Sequence, residues 1–138
     1  LKNAGRLVKR LQEFLVDGGE WTVGQELSVS QFVPGELVKV TGWSKGRGFQ
    51  GVVKRHGFHG HPSTHGHKDQ LRMPGSIGAG GVQHVRKGMR MAGRMGGNRI
   101  TLPKLQVVAI DQDQNELIVK GAVPGATRGR LLITAIIK

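Results

Sequence analysis

The chain has 138 residues, with 21 Lys and Arg against nine Asp and Glu, a formal charge of +12, a pI near 11.2 and no cysteine. The missing thiols exclude disulfides and thiolate metal sites, as is usual for an intracellular protein. No apolar run approaches the roughly 18 residues of a spanning helix. One domain with a modest aliphatic core fits the length, and the charge asks for a polyanionic partner, nucleic acid before anionic membrane.

In chain order, Leu7, Val8, Leu11, Phe14 and Leu15 can form a helical stripe, or residues 13–16 a strand entering an Asp17-Gly18-Gly19 turn. A short helical turn followed by a strand is the preferred reading. Trp21, Val23, Gln25, Leu27, Val29 and Phe32 roughly alternate and read as β. A turn at Pro34-Gly35 leads into a strand over residues 37–41. Further on, residues 100–102 are a short strand interrupted by Pro103, and residues 105–110 read as a buried strand. A polar turn over 111–115, a strand over 117–120 ending at Gly121, a turn at Pro124-Gly125 and a last strand over 131–137 complete the chain.

Between these flanks the composition changes. Residues 42–99 hold eleven of the Lys and Arg residues, one acid (Asp69), 15 of the 23 glycines and all six histidines. The apolar residues there follow neither the helical nor the strand period. Such a segment buries too little surface to offset its ordering entropy, so it needs a polyanion to fold against. The expected fold is mainly β: a β-barrel body from residues 1–41 and 99–138, with residues 42–98 inserted between strands as an extended, basic, glycine-rich arm.

Motifs in the middle segment have competing readings. Gly46-Arg-Gly48-Phe-Gln-Gly51 matches G-x-G-x-x-G after a strand. A dinucleotide fold needs a helix starting there and an acid about 20 residues on. Asp69 sits near that distance, but no helix can run through Gly57, Gly60, Pro62 and Gly66. The glycines read better as close-approach points for phosphate, neutralised by Lys45, Arg47, Lys54 and Arg55. His56, His59, His61, His65 and His67 resemble a metal cluster, yet they lie in Gly/Pro loop with no cysteine and a single nearby acid. Stacking on bases or donating to phosphate suits them better. No Ser/His/Asp catalytic set is credible, because Ser63 and Ser76 share that loop with no group to orient a base. Met89, Met91 and Met95 alternate with Arg86, Lys87, Arg90 and Arg94, and Gly88, Gly93 and Gly96 break any membrane-surface helix there. Trp43 and Phe49 read first as a hydrophobic plug and second as a base-stacking platform.

Residues 32–55, FVPGELVKVTGWSKGRGFQGVVKR, resemble the signature of the large-subunit ribosomal protein L3 family in its bacterial form, through Gly42, Ser44, Gly46, Arg47, Gly48, Gly51 and Arg55. The likeness continues in Thr64-His-Gly66, Arg72, Pro74-Gly-Ser-Ile-Gly78, Met91-Ala-Gly93, Gly96 and Leu117-Ile-Val-Lys-Gly-Ala-Val-Pro-Gly125. Lys39 departs from the signature's Asp or Asn, and Ala79-Gly-Gly-Val-Gln-His84 replaces a Thr-Pro-Gly turn. Ala79 stands where family members carry a glutamine that some bacteria methylate. The family's usual N-terminal, strand-rich segment has no counterpart here.

The resemblance implies a structural, non-enzymatic constituent of the large ribosomal subunit. Its barrel would lie on the ribosome surface, and its arm would thread large-subunit rRNA toward the peptidyl transferase centre, with binding early in assembly. The implied partners are that rRNA and neighbouring large-subunit ribosomal proteins, with no membrane, small-molecule substrate, cofactor or metal. The implied location is the cytoplasmic ribosome, an organellar one being the alternative. The expected RNA-binding residues are Lys45, Arg47, Gly48, Lys54, Arg55, His56, His59, His65, Lys68, Arg72, Ser76, Arg86, Lys87, Arg90, Arg94 and Arg99. The rival readings are a free-standing RNA- or DNA-binding module and a dinucleotide enzyme.

Overall fold

A computed structural model describes residues 10–14 and 21–136. The helical stripe, most of which falls in residues 1–9 and 15–20, and the Asp17-Gly18-Gly19 turn lie outside the described residues. Regular structure over the rest is nearly all strand. The strands are β1 (Leu37–Trp43), β2 (Phe49–Gln50), β3 (Gly93–Arg94), β4 (Arg99–Asp111), β5 (Glu116–Lys120) and β6 (Leu131–Ala135). One short helix, α1 (Val52–His56), follows β2.

Four strands form an antiparallel sheet in the order β5-β4-β1-β6, and β2 pairs with β3 in a separate two-stranded ribbon. Among the described residues the main sheet is open, with β5 and β6 at its edges. Val38 and Val40 point to one face of β1 and meet Val107 of β4, and these three are the fully buried core. Phe32, Leu105, Ile110, Leu117, Val119, Leu131 and Ile133 pack around them. Each buried valine contributes about 1.5–3 kcal/mol relative to exposure, so the sheet depends on a small aliphatic cluster.

Three sequence expectations need correction. Residues 21–33 form no strand: a turn and a 3-10 helix at Val29–Gln31 occupy that stretch. Val23 is 91% exposed and Leu27 61%, so their alternation has no face to cover. Instead the Ser28 hydroxyl accepts from the Ser30 N–H, and the Asn115 carboxamide oxygen accepts the Val29 N–H at 3.1 Å.

Pro103 does not interrupt a strand; β4 runs through it. The register steps from Leu102 opposite Val40 to Leu105 opposite Val38, so one extra residue bulges at Pro103-Lys104. A bulge removes the ladder hydrogen bond that proline cannot donate. β5 begins pairing only at Gln106, which leaves that side of Pro103 without a neighbouring strand among the described residues.

The third correction concerns strand ends. β1 continues past Thr41 to Trp43, and β6 ends at Ala135. Gly42 is required inside β1, because a Cβ there would lie 2.7 Å from Leu131 Cδ2 and 2.8 Å from Pro124 Cγ. Beside it, the buried Thr41 hydroxyl pairs with that of Thr101 at 2.9 Å.

Candidate nucleic-acid interface

β1 and β4 carry both ends of the basic segment out of the sheet side by side, with Trp43 opposite Arg99 as their last rung. Beyond it the two chains stay joined. Ser44 N–H donates to Asn98 O at 2.9 Å, Gly97 N–H donates back to Ser44 O at 3.1 Å, and the Ser44 hydroxyl accepts the Asn98 N–H at 3.1 Å. Next, Arg47 N–H donates to Met95 O and Met95 N–H to Gly48 O, both at 2.9 Å. Gly48 sits at φ +67° and Gly96 at φ +77°, and a Cβ on Gly96 would collide with the Lys45 carbonyl. The β2–β3 ribbon is the following rung.

α1 then begins directly after Gly51 and ends at Gly57, which takes a left-handed conformation (φ 71°, ψ 30°) and donates its N–H to Val52 O and Val53 O. The glycine motif is therefore followed by a helix, but one of five residues, and residues 57–92 contain neither helix nor strand. The long helix and second parallel strand of a dinucleotide site are missing from the described residues.

Arg55 and His56, at the end of α1, both reach Met91 O, at 2.6 and 3.0 Å. The Arg90 guanidinium lies 5.0 Å from the Phe58 ring centroid.

The neck formed in this way bounds an open concavity of about 570 Å³. Lys45, Arg47, Arg55, His56 and Arg94 line it together with Ser44, Met95, Gly96, Asn98 and Gly125, and no carboxylate is among them. Five of the expected binding residues, from both limbs of the segment, thus share one surface. Arg99 opens β4 just below, exposed, and Lys54 is exposed on α1. Ser44, Met95, Gly96, Asn98 and Gly125 lie outside the expected set. Gly125 (φ +106°) packs its α-carbon against the Trp43 carbonyl, where a Cβ would be 2.7 Å away. Its signal in the sequence is the Pro124-Gly125 pair, which is both a turn and the end of the family-like stretch over 117–125.

The other expected residues lie farther along. His59 and Arg72 are exposed. His61 N–H donates to Leu71 O at 3.1 Å, which folds 61 back on 71, and the His61 and His67 rings stack at 6.1 Å. His65 and Lys68 border a smaller hollow with Asp69. The Ser76 hydroxyl is taken up locally, donating to Gly78 O at 2.8 Å. Arg86 lines a small hollow with Ile77, Val82 and Met89, and Lys87 is exposed at the next turn. Phe49 is 76% exposed and Trp43 43%, which overturns the plug reading for Phe49. Among the described residues no three His, Asp or Glu side chains are placed to hold a metal ion, and no helix is long and apolar enough to cross a membrane.

By fold and surface this is a basic, mainly-β protein whose positive charge is gathered on a non-regular excursion clamped at its root. The chain belongs to the ribosomal protein L3 family, whose model matches residues 2–123. It is similar to the large ribosomal subunit protein uL3 of Heliobacterium modesticaldum, 54% identical over 140 aligned positions that cover 100% of this chain and 66% of the relative. The uL3 proteins of Herpetosiphon aurantiacus (51% over 136 positions, 97% of this chain and 64% of the relative) and Roseiflexus sp. (52% over 140, 100% and 67%) are comparable. The chain spans about two thirds of the length of these relatives.

Proposed function

We propose that the chain serves as a structural, non-catalytic constituent of the large ribosomal subunit in the cytoplasm, binding large-subunit rRNA directly. The observation that supports this most is the neck concavity, where cations from both limbs of the basic segment converge with no carboxylate among them, in a member of the L3 family. Residues 42–98 act as the rRNA-binding arm, and residues 1–41 and 99–138 as the body. The strands of the body belong to a β-barrel. Lys45, Arg47, Lys54, Arg94 and Arg99 displace condensed counterions around the neck, and Lys68, Arg72, Arg86 and Lys87 do so farther out. Phe49, largely exposed, offers a face on which a base stacks. His59 and His65 donate to phosphate or stack, and the arm extends toward the peptidyl transferase centre after binding early in assembly beside other large-subunit proteins.

Sedimentation tests the reading. The full protein should co-migrate with large subunits through a high-salt gradient at one copy per particle. Release at high salt with undiminished binding to unrelated RNA would instead mark a free-standing nucleic-acid module.

A further inference from the structure

We infer that Arg55 and His56 are a latch internal to the protein, closing the neck before any RNA arrives. This makes them positioning residues and not phosphate ligands. Two donors from one helical turn converge on a single acceptor, Met91 O, at 2.6 Å from Arg55 Nη1 and 3.0 Å from His56 Nε2. A carbonyl only accepts, so His56 presents the tautomer with its proton on Nε2. The guanidinium also lies against Gly93: a Cβ at that position would be 2.8 Å from Arg55 Nη1 and 3.2 Å from its Cζ. Arg55 and His56 are both partly buried, unlike Lys54 between the helix start and the latch.

The latch stands at the far end of the ladder that starts at Trp43 opposite Arg99. Every rung between, including the reciprocal bonds of Arg47 and Gly48 with Met95, is protein on both sides. Past Met91 toward the tip, no strand pairing joins the limbs. The strand-paired neck therefore ends at Arg55–Met91, well beyond the last rung of the main sheet, and farther out the chain closes on itself only locally, as at His61–Leu71.

Two measurements on the full chain decide this; only the second rests on the rRNA-binding reading above. The first is amide exchange without RNA. Arg47 and Met95 N–H should be protected in the wild type. Arg55→Gln should exchange them about tenfold faster, the size expected for losing a charge-assisted hydrogen bond, while Val107 N–H, bonded to Glu36 O in the sheet, stays protected. Arg55→Lys keeps the charge but loses the planar fork, and should show the same acceleration. The second is the salt dependence of binding to large-subunit rRNA. Arg55→Gln should keep the wild-type slope, whereas Arg47→Gln should lose about one phosphate equivalent and leave exchange unchanged.

Fast exchange of Arg47 and Met95 in the free wild type would overturn the latch. So would a slope lowered by about one in Arg55→Gln with exchange unaltered. A wild-type chain that fails to bind rRNA would sink the proposed function instead, leaving the latch to the exchange result.

Discussion

Arg47 and Arg55 show how one residue type can face a partner at one position and serve the chain itself at another, and Lys54 stands with Arg47. Arg47 uses its backbone to hold Met95 and is one of the residues lining the neck concavity; Lys54 is exposed on α1. Replacing both by Ala should weaken rRNA binding and flatten its salt dependence by about two phosphate equivalents, read from affinities over a salt series; an unchanged slope would remove them from the phosphate-facing set. Gly96 is a different kind of residue. Its left-handed φ and the Lys45 carbonyl behind it leave no room for a Cβ. Gly96→Ala should destabilise the protein by about 1–3 kcal/mol, read as a lower urea midpoint. The sequence displayed the charges plainly, because Lys and Arg on a glycine-rich thread have no competing use in a core. It could not show that Arg55 is spent inside the protein, since its acceptor is a backbone carbonyl 36 residues away, and carbonyls leave no mark in a sequence.

Among the elements, the strands that sequence reasoning placed correctly are those whose alternating apolar residues have something to cover. Val38 and Val40 alternate and are buried, so β1 was visible; residues 105–110 are a strand as expected but only half-buried, since Gln106 and Val108 are exposed. The same alternation in residues 21–33 misled, because no strand lies beside it among the described residues. Pro103 misled in the other direction: proline suggests a break, and only the register reveals the bulge that accommodates it. A second register shift, between Val107 and Ala109, leaves Val108 53% exposed beside a fully buried neighbour. Val107→Ala should therefore cost about 2 kcal/mol, while Val108→Ala should stay within about 0.5 kcal/mol. Urea unfolding of the two variants compares them directly, and equal losses would contradict the register.

For the whole molecule, the division of labour predicts that the outer arm can be removed without loss of the sheet. Replacing residues 59–89 by a short Gly/Ser linker deletes Lys68, Arg72, Arg86 and Lys87 but keeps the neck and every paired strand. The shortened protein should unfold at a near-normal urea concentration and lose about four phosphate equivalents of salt dependence. Unfolding at a much lower concentration would mean that the outer residues brace the sheet. Composition alone suggests this division, as two nearly neutral flanks around a cationic middle, and the shortened protein is its test. What composition could not locate was the point where strand pairing between the two limbs stops.

Because β1 and β4 pass without a break from the valine cluster into the root of the excursion, handle and anchor are cut from the same two strands. No swivel separates them, so the direction in which the cationic loop leaves the sheet is set at folding. On the proposed rRNA-binding function, the protein meets its polyanion already aimed, and docking has fewer orientations to search. Any later tug on the loop is transmitted along the paired strands to Val38, Val40 and Val107.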